Sequence, residues 1–143
     1  MQEYIVLMDV LLDASAIMAI ILGDPSSAKV VKMTVNTVII SPEVISFEIG
    51  NALVNLLKRK KILKEEILEA YKVFASIPIR SVKVDIEKAL KISCEYKISA
   101  YDAYYLETAL RLKLPLLTFD EQMIKTSAEL NIALLGDSER RGK

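Results

Sequence analysis

The chain has 143 residues, 52% of them hydrophobic and 27% charged, and its 19 Lys and Arg balance 19 Asp and Glu. This composition favours one folded domain and excludes a disordered or low-complexity chain. Zero net charge excludes a global positive field that would hold nucleic acid. The absence of His and the presence of one cysteine, Cys94, exclude histidine-based catalysis, an internal disulfide and a Cys-cluster zinc site.

Short β-branched runs alternate with longer helical patterns along the chain, which is typical of an α/β fold. The predicted elements in chain order are a strand at 5–12, helices at 14–22 and 26–35, a strand at 37–40, a helix from Ser41-Pro42-Glu43 to the basic cluster 58–61, a helix at 64–76, a strand at 79–84, helices at 86–96 and 101–112, a strand at 114–119, a helix at 121–130 and an edge strand at 132–135. Ser41 as a capping hydroxyl and Pro42 at the first helical position mark the start of their helix.

Parallel strands joined by right-handed helical crossovers predict a three-layer α/β/α sandwich around a central parallel sheet of four to five strands. No linker divides the chain, so we expect a single domain over residues 1–143, with a polar tail at 136–143. Met8 is an alternative start, which would make residues 1–7 an N-terminal extension.

No membrane span or signal peptide is expected. The most apolar stretch, residues 5–23, is interrupted by two aspartates, and the run after the second is too short to cross a bilayer. The first four residues lack the basic segment of a signal peptide. These features predict a cytoplasmic protein that does not associate with a membrane.

Four acids fall where an open parallel sheet forms its sites, at the carboxyl ends of strands and the starts of the helices after them. Asp13 ends the first strand and Asp120 ends the strand at 114–119. Asp102 lies near the start of the helix at 101–112, and Glu48 lies in the helix after the second strand. Three nearby polar residues could hydrogen-bond to these acids: Ser15, Asn51 and Thr118.

Helix capping is the alternative explanation for three of these acids. Asp13 and Asp120 stand where an N-cap acceptor is wanted, and Ser99 with Asp102 fits a capping box. Glu48 is predicted to lie more than one turn inside its helix among apolar neighbours, so capping does not explain it. A glutamate in apolar surroundings is costly unless it is paired or metal-bound.

Several carboxylates at one sheet edge repel each other unless cations lie between them. Mg²⁺ or Mn²⁺ suits an all-oxygen site without His or Cys. Such a cluster typically serves phosphoryl chemistry, with the metal lowering the pKa of an attacking water.

Four segments, taken together and in order, resemble the acidic motifs of PIN-domain ribonucleases, and most of all those of VapC-type toxins of toxin–antitoxin pairs. The segments are residues 11–16, 41–53, 101–106 and 117–120, and the likeness spans roughly residues 8–135. Two departures are Phe119, where a small residue is more usual, and the extra N-terminal residues. Neither removes a ligand position.

The resemblance implies a metal-dependent endoribonuclease, with Mg²⁺ or Mn²⁺ held by Asp13, Glu48, Asp102 and Asp120. It implies that Thr118 is the hydroxyl neighbour of the site and that Ser15 and Asn51 are supporting polar groups. It also implies an RNA substrate, a homodimer and a cognate antitoxin that inserts into the active-site groove.

The basic cluster Lys58, Arg59, Lys60 and Lys61 is a candidate contact for the RNA backbone, and a solvated helix end is the alternative. Tyr101, Tyr104 and Tyr105 are interpreted as packing or interface residues rather than platforms for base stacking.

Three other functions share parts of this pattern. A haloacid-dehalogenase-type phosphatase would need a second Asp where Ser15 stands, and a receiver domain would need a Lys after the strand that ends near Phe119. A catalytically weak module that binds protein or RNA partners, with the acids retained, remains the alternative to a nuclease.

Overall fold

A computed structural model describes residues 7–23 and 25–136. Its elements in chain order are β1 (Met8–Leu12), α1 (Ala14–Leu22), α2 (Ser27–Thr34), β2 (Thr37–Pro42), α3 (Ile45–Lys58), α4 (Lys64–Ser76), β3 (Ile79–Val82), α5 (Ile86–Tyr96), α6 (Ala100–Leu112), β4 (Leu116–Leu117) and α7 (Glu121–Glu129). The extension predicted at 1–7 and the tail predicted at 136–143 lie, apart from Leu7 and Gly136, outside the described residues.

The four strands form one parallel sheet in the order β3-β2-β1-β4, which confirms the predicted α/β/α class. The apolar residues that face inward from β1, β2 and β4 are fully or almost fully buried, and the helices pack over them. Helix α1 packs against α2, α3 and α4, whereas α5 packs against α6. No single helix among the described residues is long and apolar enough to span a membrane, although α1 and the bent continuation α2 reach that length together.

Chain direction across the sheet fixes where a site can form. The chain runs outward from β1 through β2 to β3 and then returns to place β4 on the other side of β1. In open parallel sheets the crevice at such a reversal, beyond the carboxyl ends of the strands, is where ligands bind. Here that crevice lies between β1 and β4.

The start of α3 differs from the prediction. The helix begins at Ile45, and Ser41 and Pro42 are the last residues of β2. The Ser41 hydroxyl, which was expected to cap the helix, donates instead to the Leu12 carbonyl oxygen at 2.7 Å. Register explains the change, because Leu11 pairs with Ile40 and the next residues of the two strands are therefore neighbours.

The C-terminal strands are shorter than predicted. Leu114 donates its backbone N–H to Ala109 and so closes the end of α6 instead of joining β4. The edge strand expected at 132–135 is reduced to an isolated bridge between Leu116 and Leu134. The strand β1 spans Met8–Leu12; Leu7 lies outside it, and residues 5–6 of the predicted strand lie outside the described residues.

Candidate active site

Strand register brings Asp13 and Thr118 together from opposite ends of the chain. Leu12 of β1 pairs with Leu117 of β4, so the residues that follow them leave the sheet side by side. The Thr118 hydroxyl donates a hydrogen bond to Asp13 Oδ2. Both residues are buried, with Asp13 only 4% exposed.

Asp13 is held on its other oxygen as well. Ser15 Oγ donates to Asp13 Oδ1 at 2.7 Å, and the Ala16 backbone N–H donates to the same oxygen at 3.1 Å. The Phe119 N–H in turn donates to Ser15 Oγ at 2.9 Å. The hydrogen bonds anticipated for Ser15 and Thr118 are therefore present, and they orient the carboxylate at the end of β1.

Asp120 approaches the same point from the start of α7. Its carboxylate Oδ1 accepts the Met123 N–H at 2.9 Å, and its backbone N–H donates to Thr118 Oγ1 at 3.0 Å. Asp13 and Asp120 are thus both N-caps, as the capping interpretation predicted. Capping does not compete with a further role, because each cap also places its carboxylate at the crevice between β1 and β4.

Asp102 enters from the first turn of α6. Ser99 is the N-cap of this helix, and its hydroxyl accepts the Asp102 N–H at 3.1 Å. The Asp102 side chain is half-buried. The Ser99 cap therefore fixes the start of the helix that carries the third acid.

Glu48 lies in the first turn of α3, not deep inside the helix, because that helix begins at Ile45. The prediction that its helical position excludes a capping role is therefore wrong. Its surroundings still set it apart: Glu48 Oε1 is buried and has no hydrogen-bond partner among the described residues. The same holds for the Tyr105 hydroxyl on α6, which lies beside Glu48 and affects its pKa.

Burial raises the pKa of three of the four acids. It raises the pKa of Glu48 to about 7, and the Asp102 and Asp13 carboxylates add to the rise while the Tyr105 side chain opposes it. Burial also raises the pKa of Asp102, with further contributions from Asp120 and Asp13. For Asp13, burial outweighs the hydrogen bonds from Thr118, Ser15 and Ala16, so its pKa is raised as well.

These mutual effects show that the four acids share one region of like charge. None of the ion pairs formed within residues 7–23 and 25–136 involves any of the four. Within the same ranges, no three Asp, Glu, His or Cys side chains are gathered closely enough to hold one metal ion as they stand. The four acids are therefore neighbours that no Lys or Arg side chain of the described ranges neutralises, and their carboxylates are not gathered around one point.

Asn51, the third supporting residue predicted, does not join the Asp13 network. It is exposed on α3 and lines a cavity of about 310 Å³ together with Glu48, Asn55 and two aromatic side chains, Phe47 and Tyr101. A supporting role for Asn51 stays a prediction.

The basic cluster 58–61 lies at the other end of α3 from Glu48. Ten residues of helix separate Glu48 from Lys58, which is about 15 Å along the axis. Lys60 has a positive φ of 57°, and the Lys61 N–H closes the helix on the Leu56 carbonyl oxygen. These features match the helix-end alternative, and a contact with RNA stays a prediction.

Tyr105 is the site residue that sequence reasoning missed in this role. Its interpretation as a packing residue agrees with its burial, at 2% exposed. Its spacing from Asp102 is the one available signal, because residues three apart lie on the same face of a helix. Nothing in the sequence indicates that the hydroxyl would meet Glu48 from another helix.

The model of the PIN domain family matches residues 10–129. The chain belongs to this family. No curated protein sequence matches this PIN domain significantly.

Solved structures share its fold. PAE2754 from Pyrobaculum aerophilum is 24% identical, with a TM-score of 0.63 over 83% of this chain and 79% of the other. The Mycobacterium tuberculosis toxin VapC20, described as cleaving the sarcin–ricin loop, is 14% identical, with a TM-score of 0.58 over 81% and 93%. A toxin–antitoxin complex from Klebsiella pneumoniae is 19% identical, with a TM-score of 0.51 over 78% and 86%. At these identities the likeness establishes the fold.

Proposed function

We propose that this PIN domain is a divalent-metal-dependent endoribonuclease that hydrolyses RNA phosphodiester bonds, and that it is the toxin of a toxin–antitoxin pair. The observation that carries the proposal is the set of four electrostatically coupled carboxylates at the chain reversal between β1 and β4. Membership of the PIN family supports it, as does the likeness to one toxin and to one toxin–antitoxin complex.

The donor chemistry of the site fits Mg²⁺ or Mn²⁺. All candidate ligands are carboxylate oxygens, which hard divalent ions prefer. Glu48 Oε1 is buried without a partner, and burial of an uncompensated carboxylate is costly. The residues that would hold the ion are Asp13, Glu48, Asp102 and Asp120. Since they are not gathered into one shell, binding would require side-chain rotations toward a common point.

A bound divalent ion would supply Lewis-acid chemistry by making a coordinated water more acidic and neutralising charge on a phosphate. The chain's own contribution is positioning. Thr118, Ser15 and the Ala16 N–H orient the Asp13 carboxylate and favour its ionised form against the cost of burial. Asp120 is fixed by its cap on α7. Rigid first turns thus present the acids to the crevice.

Cleavage of a mixed RNA pool tests the proposal. Purified protein, free of any bound inhibitor, should cut RNA with Mn²⁺ or Mg²⁺ and lose this activity in EDTA. Asp13→Asn should abolish cleavage while the fold persists, because Asn is as good an N-cap as Asp. The matched control is Asp85→Asn at the N-cap of α5, where Asp85 accepts the Lys88 N–H away from the site. It should cleave at the wild-type rate. Cleavage by Asp13→Asn, or in EDTA, would contradict the proposal.

A module that binds partners without catalysis is the second candidate, and the dispersed carboxylates favour it. Metal linkage separates the two candidates, because an ion that binds only the folded state raises the melting temperature. A nuclease of the proposed kind should gain stability with millimolar Mn²⁺, and Asp13→Asn should abolish the gain. An unchanged melting curve would favour the binding module.

Three further features belong to the same proposal. A cognate antitoxin would cover the site, the chain would form a homodimer, and the protein would act in the cytoplasm. The toxin–antitoxin complex among the solved structures supports the antitoxin. The homodimer and the location follow from the family resemblance and the composition.

A further inference from the structure

An aromatic-lined cleft runs between α3 and α6 beside the four acids. Phe47, the neighbour of Glu48, is 77% exposed although it is among the most hydrophobic side chains, and it stands between two cavities of about 340 and 310 Å³. Both volumes are typical of small-molecule sites. The two cavities share Phe47 as a common wall.

Two tyrosines of α6 form the facing wall. Tyr101 lines the smaller cavity and is 55% exposed, and Tyr104 lines the larger one. Their rings meet edge to face, with centroids 5.8 Å apart and an interplanar angle of 80°. This favourable aromatic geometry holds Tyr101 in place while leaving much of its surface open.

The smaller cavity combines the rings of Phe47 and Tyr101 with polar groups. Asn51 and Asn55 lie one turn apart on α3 and line it with Glu48. Side-chain amides both donate and accept hydrogen bonds, and they match the edges of nucleobases. Glu48 lines the cavity as well, which places the cavity beside the proposed metal site. An apolar protein side chain would leave all three polar groups without partners.

We propose that the cavity bounded by Phe47, Tyr101, Asn51 and Asn55 is a nucleobase subsite, in which a base of single-stranded RNA next to the cleaved bond stacks on Phe47 or Tyr101. This inference rests on the proposed ribonuclease function. Exposed aromatic side chains are how proteins hold unpaired bases, since every base has a face that can stack. The amides would set the preference between bases.

A base must be unstacked from its neighbours to enter the subsite. The subsite also revises the interpretation of Tyr101 as a packing residue. Tyr105 and Tyr104 keep that role, the first buried beneath the acids and the second as the support of Tyr101.

Binding of a short fluorescein-labelled single-stranded RNA, measured by anisotropy in EDTA so that the RNA is not cleaved, tests the proposal. Phe47→Ala and Tyr101→Ala should each weaken binding about tenfold, and Phe47→Leu should weaken it as much as alanine, because leucine keeps apolar bulk but cannot stack. Phe47→Trp should retain affinity. The salt dependence should not change, because no charge is removed.

Tyr71→Ala is the matched control, an exposed aromatic on α4 away from the acids, and it should change affinity less than twofold. A duplex of the same sequence should bind all variants alike. Because Phe47 and Tyr101 are more than half exposed, their removal leaves the core intact, and melting temperatures verify this.

Wild-type affinity in Phe47→Leu, or equal losses for the Tyr71 variant, would overturn the subsite. Unchanged RNA binding together with altered self-association in light scattering would overturn it too, and would assign the cleft to protein contact. If the proposed ribonuclease function itself is wrong, the result differs, because the wild-type protein would then not cleave RNA at all. If the wild-type protein cleaves RNA and Phe47→Ala binds and cleaves it equally well, the subsite alone is wrong.

Discussion

The buried hydroxyl of Tyr105 is the clearest single-residue departure from ordinary packing. Buried polar atoms in folded proteins nearly always have a hydrogen-bond partner, and Tyr105 Oη and Glu48 Oε1 both lack one among the described residues. The two groups lie beside each other, and the Tyr105 side chain lowers the pKa of Glu48 while burial raises it. Burial of these two oxygen atoms is a cost to the stability of the free protein.

Tyr105→Phe should therefore leave the metal-free protein as stable as the wild type, or raise its free energy of unfolding by about 1 kcal/mol, because it removes an unsatisfied buried hydroxyl. Urea denaturation in EDTA at pH 5 measures this, because Glu48 is protonated at that pH and the hydroxyl then stabilises no carboxylate. Tyr104→Phe is the control, since the Tyr104 side chain is only half-buried, and it should change nothing. A loss of stability in Tyr105→Phe would mean that the hydroxyl does have a partner.

At the scale of elements, the partly buried ion pair Glu107–Arg111 within α6 joins this helix to the loop before α5 through hydrogen bonds with the backbone. Glu107 is 2% exposed and accepts hydrogen bonds from the Asp85 N–H at 2.8 Å and from Arg111 Nε at 2.7 Å. Arg111 also donates to the Lys83 carbonyl oxygen at 2.7 Å. This group fixes the helix that carries Asp102 and Tyr105.

Arg111→Met should destabilise the protein by about 2–4 kcal/mol, because it leaves the Glu107 carboxylate buried without its cation. Lys91→Met provides the comparison, since Lys91 pairs with Glu87 in solvent at 3.7 Å. Exposed pairs of this kind contribute less than about 1 kcal/mol. Equal effects of the two substitutions, measured by urea denaturation, would show that the Glu107 pair contributes no more than a surface one.

Elements whose signals are local were predicted from the sequence almost to the residue. Helix α4 and helix α5 have the predicted bounds, because their first turns are capped by neighbours such as Glu66 and Asp85. The start of α3 was misplaced, because the Ser41 hydroxyl has two possible partners and the one it takes, Leu12, is 29 residues away. Local patterns cannot decide between them.

Some features of the candidate site could likewise be predicted from local patterns, and others could not. Asp13, Asp102 and Asp120 could be located from the sequence, because their positions at strand ends and helix starts follow from the order of elements. The place of Glu48 in the first turn of α3 was missed, because the start of that helix was misplaced. The Ser15 hydrogen bond is local, and the Thr118 hydrogen bond follows from strand register. The proximity of Tyr105 to Glu48 and the exposure of Phe47 depend on how α3 and α6 approach each other in space, which no short pattern encodes.

For the whole molecule, the raised carboxylate pKa values make stability depend on pH. Glu48 ionises near its usual 4.5 in the unfolded chain but at about 7 in the folded protein. Between these values the folded state holds a proton that the unfolded state has lost, so folding stability falls as pH rises through this window. Below pH 4.5 Glu48 is protonated in both states, and the cost of burying its charged form is absent.

The melting temperature of the metal-free protein should thus decrease from pH 4.5 to 7, and Glu48→Gln should remove much of this decrease. Glu95→Gln, at an exposed glutamate of α5, should leave the pH profile unchanged. Added Mn²⁺ should stabilise the wild type more at pH 8 than at pH 5, since binding competes with protons. Identical pH profiles for wild type and Glu48→Gln would contradict the raised pKa.

The hydrogen bond between Thr118 and Asp13 spans 105 positions of the chain. During synthesis the first acid therefore emerges long before the hydroxyl that orients it, and before the Asp102 and Asp120 carboxylates. A nascent chain that has formed β1, β2 and β3 still lacks the crevice, because β4 is the strand that closes it. Formation of the site is therefore delayed, because the four acids come together only when nearly all of the described chain has left the ribosome. A truncated product has an incomplete site.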